Sequence, residues 1–310
     1  MTQVNMQQVK ELRDRTSAGL NDCRGALVEA GGDMEKAVEI ILKKGLAKSA
    51  KRAGAVASEG QVAAKISSDG TSAIIVEVNI QTDFAARNDD FKVFVENIVK
   101  LAESAPAEAD LSTLPYPAGG GTVEEVRQAL VGKLGENITV RRWAKLTAKD
   151  GLVTSYVHMG GKIGNILAVK LGDVTKAKSP SVVKFVEDTA MQIAAMAPLF
   201  LSTSEVPADE KSKQSEIYEA QLVEEGKPEK ARPKIIEGKL AKWMKEICLL
   251  EQQSVLDTEK TIQQLLDATA AEVGTSIELV RFVRFERGEG LVDKKKSEDF
   301  AAEVMKMTQN

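Results

Sequence analysis

The chain has 310 residues, of which 43% are hydrophobic, only 4% aromatic and 28% charged, with a formal net charge of −4. This length calls for two or three domains, and the balance favours helices and helix-covered sheets over an aromatic-filled β-sandwich. The charge excludes a basic field for direct nucleic-acid binding, the widely separated Cys23 and Cys248 lack metal-ligand spacing, and no apolar run reaches the roughly 20 residues of a membrane span.

From the N-terminus, Met1 to Arg15 is polar and reads as a folded helix, without an apolar secretory core or a transit composition, so the expected location is cytoplasmic, where both cysteines stay reduced. Residues 4–45 read as three helices. Met6, Val9 and Leu12 mark one face, Leu20, Cys23, Ala26, Leu27 and Ala30 a second, and Met34, Ala37, Val38 and Ile41 a third. Thr16-Ser17-Ala18-Gly19 interrupts the first helix, Gly31-Gly32 ends the second, and Asp33 N-caps the third. The unit resembles the ubiquitin-associated, or UBA-like, three-helix module, in which Leu20 reads as either a surface or a core residue. Residues 46–60 form an Ala-, Lys-, Gly- and Ser-rich connector with some helix, and the run Lys43, Lys44, Lys48, Lys51 and Arg52 reads as a solvated basic stretch in preference to an RNA contact.

An internal duplication follows. Val62 to Ile66, a Ser68-Asp69-Gly70 turn, Ala73 to Val78 and a helix over Phe91 to Ala102 give strand, turn, strand, helix. Val153 to His158, a Gly160-Gly161 turn, Ile166 to Leu171 and a helix over Val182 to Ala195 repeat that order. Two related α+β subdomains are expected, each a small antiparallel sheet covered by helices. Between them, residues 104–122 make a Pro-, Ala- and Gly-rich surface connection, Val123 to Gly132 a helix, and Ile138 to Leu146 a strand expected to join the second sheet.

After Pro207, a polar helix over Asp209 to Glu225 stops at Gly226, and a second carries Ile236, Leu240, Trp243 and Ile247 at coiled-coil spacing. Pro233 marks either a bend or the true start of that helix. The seam reads as intramolecular packing, with a homodimer through the hairpin as the alternative. A helix over Ile262 to Glu272, a strand over Val280 to Glu286 and a helix over Glu298 to Met307 close the chain. The expected organisation is therefore 1–46 N-terminal module, 47–60 linker, 61–137 first core subdomain, 138–206 with 249–285 second core subdomain, 207–248 helical hairpin and 286–310 C-terminal module.

Chemistry-bearing patterns are few. His158 is the sole histidine, which excludes multi-His metal sites and leaves a His-dependent triad only if His158 itself serves; it reads as a packing or interface residue rather than a catalytic base. Gly160-Gly161-Lys162-Ile163-Gly164 joins two strands and lacks the Gly-Lys-Ser/Thr ending of a phosphate loop. On their own, Phe84 reads as a core aromatic and Asp83 as a turn residue ahead of the Phe91 helix.

Longer segments change this reading. Val9-Lys10-Glu11-Leu12-Arg13-Asp14-Arg15-Thr16-Ser17-Ala18-Gly19-Leu20-Asn21-Asp22-Cys23 and Glu77-Val78-Asn79-Ile80-Gln81-Thr82-Asp83-Phe84-Ala85-Ala86 resemble the two signatures of the elongation factor Ts family. Gly132-Lys133-Leu134-Gly135-Glu136-Asn137-Ile138, His158 to Gly164 and Arg284 to Gly290 resemble further family segments in the same order. The resemblance implies a guanine-nucleotide exchange factor for elongation factor Tu, in its GDP-bound and nucleotide-free states, with no cofactor, no metal site and no covalent chemistry of its own.

By the same resemblance, Thr82, Asp83, Phe84 and Ala85 would dislodge magnesium and phosphate-loop support in the partner. Arg13, Leu20, Asn21 and Arg24, together with Leu134 and Gly135, would meet its nucleotide domain, while His158, Val255 and Leu256 would make further contacts. Leu20-Asn21 and Val255-Leu256 depart from the commoner family residues. Two other classes compete: a UBA-like adaptor without exchange activity, and an enzyme on the α+β core, for which no carboxylate pair or nucleophile-base set stands out.

Overall fold

The computed structural model describes residues 4–16 and 18–291. It opens with α1 (Met6–Thr16), α2 (Leu20–Glu29) and α3 (Met34–Arg52). Val9, Leu12, Cys23, Ala26, Leu27, Ala37 and Ile41 share one small core, at the helical spacing read from sequence. Gly31 and Gly32, at φ 64° and 88°, make the reversal before α3. The Asp33 carboxylate then accepts from the Lys36 N–H at 3.1 Å, a cap worth about 1 kcal/mol. The expected connector is helical as far as Arg52, because Ala47, Ala50 and Lys51 are strong helix formers.

The first sheet starts inside that connector, at Glu59. β1 (Glu59–Ile66) and β2 (Ser72–Ile80) pair antiparallel with Val62 opposite Glu77. Asp69 closes their turn by accepting from Ser67 Oγ and from the Thr71 N–H and hydroxyl, bonds that hold its carboxyl down to about 2. The one-turn α4 (Asp83–Ala86), α5 (Asp89–Ser104), α6 (Val123–Leu134) and β3 (Ile138–Thr147) follow.

β3 lies beside β2, with Ile138 opposite Ile80 and Trp143 opposite Val76, so it completes the first sheet and does not join the second as expected. The Ala148-Lys149-Asp150 connection is as short as a hairpin loop, but it steps between stacked sheets. Ala148 N–H donates to Thr71 O on one side, and Asp150 O accepts from Leu171 N–H on the other.

The second sheet contains β4 (Gly151–His158) and β5 (Ile163–Leu171); after α7 (Pro180–Met196), α8 (Ala208–Glu224), α9 (Arg232–Ile247) and α10 (Ile262–Val273), it is completed by β6 (Ile277–Glu286). The duplication therefore runs deeper than the sequence suggested. α6 and α10 both open on a capping box, Thr122 with Glu125 and Thr261 with Gln264, and both end at a left-handed glycine, Gly135 and Gly274. Each central strand carries an irregularity against its third strand, at Glu77/Val78 and at Ala168/Val169.

Ile74, Val76, Val78 and Ile80 of β2 pack with Phe91, Phe94, Val95 and Ile98 of α5. Leu167, Val169 and Leu171 of β5 pack with Val182, Phe185, Val186 and Ile193 of α7. The inner sheet faces meet through Val62, Ala73, Ile75, Val153, Ile166, Ala168 and Phe285. The result is an α+β core of four layers, helix, sheet, sheet, helix.

The glycine run at 160–164 belongs to this stacking. A β-carbon on Gly161 would come 2.8 Å from Val62 O, and one on Gly164 the same distance from Val62 Cγ1. Close sheet approach accounts for those glycines without a phosphate ligand.

α8 and α9, which follow α7 and precede α10 in the chain, form an antiparallel pair, while α7 and α10 touch each other directly. Gly226, at φ 67°, follows α8, and Pro233 falls in the first turn of α9, so the helix begins there and does not bend. Ile236, Leu240, Trp243 and Ile247 are half-buried. The helix expected over 298–307 lies outside the described residues. No helix among the described residues is long and apolar enough to cross a membrane.

Candidate functional site

β2 is buried along nearly its whole length and delivers the chain to the surface at Ile80. There two caps follow in quick succession. Thr82, in extended backbone, accepts from the Ala85 N–H at 3.3 Å and starts α4. Asn88 accepts from the Asp90 N–H at 2.9 Å and starts α5. The short helix between them is a projecting corner. Ala85 and Ala86 pack against the first core, whereas Phe84 is 80% exposed. Phe84 is thus not the core aromatic that its residue type alone suggests.

The corner is held from a second element. α6 ends at Leu134, and Gly135, at φ 76°, turns the chain so that Glu136 and Asn137 face the end of β2. Glu136 accepts from the Thr82 N–H at 3.0 Å and from its hydroxyl at 2.7 Å. Asn137 N–H donates to Gln81 Oε1 at 2.7 Å, and its side chain donates to Ala55 O at 2.8 Å. Lys133 pairs with Asp90 at 2.7 Å. Asp83 pairs with Arg87 at 2.9 Å, an exposed contact of little energetic weight. Thr82, Asp83, Phe84, Ala85, Leu134 and Gly135 therefore form one local surface.

Arg13, Leu20, Asn21 and Arg24 are exposed around the α1–α2 turn. Leu20 is 46% exposed, which decides between its two readings in favour of a surface residue. Ala18 and Asp22 beside this turn, with Asp90 and Lys133 from the corner, line one cavity of about 940 Å³. His158, at the exposed end of β4, meets the Tyr156 hydroxyl through Nδ1 at 3.0 Å. The following Met159 and Gly160 line a second groove of about 960 Å³ that also contains Asp83 and Arg87. Val255 and Leu256, 40% and 55% exposed, sit on the second half of the core. Their turn is held by Gln192 of α7, which donates to Gln252 Oε1 and Gln253 O and accepts from the Val255 N–H.

Behind the corner lies a buried polar centre that the sequence reading passed over. Glu77 is fully buried on the inter-sheet side of β2. It accepts from Arg141 Nη1 at 2.9 Å, Arg142 Nε at 2.6 Å, Asn79 Nδ2 at 3.0 Å and the Gly288 N–H at 2.8 Å. Burial alone would raise its carboxyl pKa, but the bonds from Gly288, Arg142, Arg141 and Asn79 outweigh burial and hold it below the usual value. Arg142 also covers the Phe285 ring at 4.3 Å. A charged residue inside the apolar run Ala73 to Ile80 and the consecutive Arg141 and Arg142 of a later strand were the signals in the sequence, although their pairing was not.

As chemistry, the corner offers an exposed aromatic, a carboxylate and a braced backbone. Among the described residues no group of three His, Cys, Asp or Glu side chains could hold a metal ion. Burial raises the thiol pKa of both Cys23 and Cys248, which disfavours the reactive thiolate.

Comparison with known proteins agrees with the family resemblance. The sequence model described as Elongation factor TS matches residues 81–289, a stretch that starts at the corner and ends at the Glu77 network. Elongation factor Ts of Clostridium botulinum (strain Alaska E43 / Type E3) is 46% identical over 305 residues, 98% of each chain. That of Clostridium kluyveri (strain ATCC 8527 / DSM 555 / NBRC 12016 / NCIMB 10680 / K1) is 47% identical over 307 residues, again 98% of each. With more than half of the chain matched by the family model and nearly all of it aligned to such relatives, this chain belongs to the elongation factor Ts family of translation elongation factors.

Proposed function

We propose that the chain is a guanine-nucleotide exchange factor for elongation factor Tu and that the corner Thr82-Asp83-Phe84-Ala85 is its working tip. The observation that carries the reading is an 80% exposed Phe84 on a helix of four residues. An aromatic so placed forgoes about 1.5–3 kcal/mol of burial in the free protein, which an apolar partner surface can recover. Phe84 wedges apart apolar contacts in the partner, and Asp83 exchanges its exposed Arg87 for polar groups around the partner's magnesium. A cation that demands near-ideal octahedral coordination is sensitive to such displacement. With magnesium and phosphate-loop support weakened, the negative charges of the GDP phosphates repel one another without compensation, and GDP leaves.

The step is linkage, with no bond made or broken. A factor that binds nucleotide-free partner more tightly than GDP-bound partner lowers GDP affinity by the same ratio, and incoming nucleotide expels the factor in turn. Arg13, Leu20, Asn21, Arg24, Leu134 and Gly135 hold the partner's nucleotide domain, while His158, Val255 and Leu256 hold the rest of it. The test is release of labelled GDP from elongation factor Tu. Substoichiometric chain accelerates release if it exchanges nucleotide, whereas an adaptor binds the partner and leaves the rate at its intrinsic value.

A further inference from the structure

We infer that Glu136 is the positioning residue of the tip, completing from a distance the cap that α4 cannot complete itself. The inference rests on the reading of Thr82 to Ala85 as the working tip, and it follows from comparing three helix starts in this fold. At α6 the N-cap Thr122 receives the Ala85-type bond, from the Glu125 N–H, and its own N–H is taken by the Glu125 side chain at 2.8 Å. At α10, Thr261 stands in the same relation to Gln264, with its N–H on Oε1 at 2.9 Å. Both boxes are closed within the helix they start.

At α4 the third helical position is Ala85, whose side chain has no acceptor and packs against the core. The Thr82 N–H is taken instead by Glu136, 54 residues away, at 3.0 Å, with the Thr82 hydroxyl on the other carboxylate oxygen at 2.7 Å. A helix of four residues has too few internal bonds to hold its own direction. Phe84 is therefore aimed by Glu136. Because Glu136 follows Leu134 and Gly135 directly, pressure on the α6 end and the bearing of Phe84 form one mechanical unit. A box closed inside α4 would leave the tip free of α6.

Glu136 touches no partner in this account, so its removal alters the limiting rate of exchange more than the affinity. Gln is the conservative replacement, because Gln264 already accepts from an N-cap N–H in this fold. The experiment measures labelled GDP release over a range of factor concentrations for wild type, Glu136→Ala, Glu136→Gln, Thr82→Val and Phe84→Ala, with thermal unfolding of each. Glu136→Ala is expected to lower the limiting rate about tenfold, with the half-saturating concentration within about twofold of wild type.

Thr82→Val, which leaves Glu136 in place but removes the hydroxyl, changes the rate in the same direction, and Glu136→Gln restores it to within about twofold of wild type. An unchanged limiting rate in Glu136→Ala, a loss confined to half-saturation, or a Glu136→Gln as slow as Glu136→Ala overturns the inference. If Phe84→Ala is slow while Glu136→Ala is normal, only the positioning role fails. If Phe84→Ala is itself normal, the tip reading fails with it.

Discussion

The Gly288 N–H donates to Glu77 at 2.8 Å across 211 residues of chain, tying the segment after β6 to the strand that ends at the exposed corner. Gly288 sits at φ 73°, and a β-carbon there would lie 2.3 Å from Ser58 O. The close approach requires glycine at that position, and the buried carboxylate explains why the backbone comes so near.

That carboxylate makes acid stability predictable. The folded Glu77 pKa is depressed below its unfolded value, about 4.3 for a free glutamate. Its contribution is therefore fully present above that pH and is lost as pH falls through the folded pKa. Glu77→Gln is expected to cost about 3 kcal/mol at neutral pH, because Arg141 and Arg142 lose a buried counter-charge. Urea unfolding at several pH values should show the difference from wild type shrinking in the acid range, and a pH-independent difference would contradict the assignment.

Gly45 of α3 and Gly132 of α6 cross closely enough that a β-carbon on Gly132 would stand 2.9 Å from the Gly45 Cα. Helix propensity alone favours Gly132→Ala by about 1 kcal/mol. The crossing predicts the opposite sign, a loss of about 1–3 kcal/mol as the two backbones are forced apart. Gly238→Ala on α9, where a β-carbon meets nothing within 4 Å, serves as the control and should gain about 0.5–1 kcal/mol. Denaturant midpoints of the two variants should move in opposite directions.

Gln192 is buried and makes bonds to Gln252, Gln253 and Val255. Gln192→Ala is expected to cost about 1–3 kcal/mol by leaving those groups unpaired. Faster amide exchange at Val255, with β5 unaffected, is the local signature. Uniform protection at Val255 would show that the turn holds itself.

Substitution of Leu20 tests binding apart from folding. Because the side chain is half exposed beside a packed core, Leu20→Ala should leave thermal unfolding within about 0.5 kcal/mol of wild type. If it is a contact, affinity for elongation factor Tu falls by about 1–2 kcal/mol in calorimetry. Unchanged affinity would remove Leu20 from the proposed interface.

Much of this fold is written locally. Asp33 and the Gly31-Gly32 pair announce α3, Ser68-Asp69-Gly70 announces the first hairpin, and the similar starts at Phe91 and Val183 announce the duplication. The strand at Ile138 was legible as a strand but not by its sheet, because a three-residue connection, Ala148 to Asp150, is compatible with both a hairpin and a step between layers. Had the duplication been followed one helix further, from Thr122-x-x-Glu125 to Thr261-x-x-Gln264, β3 would have matched β6 and its sheet would have been fixed. Glu136 was equally hidden, since its partner lies 54 residues earlier and the motif it completes is normally closed within four residues. The exposure of Phe84 came from the resemblance alone, because an isolated Phe after an apolar strand reads as core.

Phe84 is proposed to do its work in the partner and not in this fold. The direct measurement is stopped-flow release of labelled GDP from elongation factor Tu by wild type and Phe84→Ala, with unfolding curves for both. Removing a side chain that is 80% exposed is expected to leave the unfolding curve unchanged and to slow release about tenfold or more at saturating factor. Equal release by the two proteins would contradict the account.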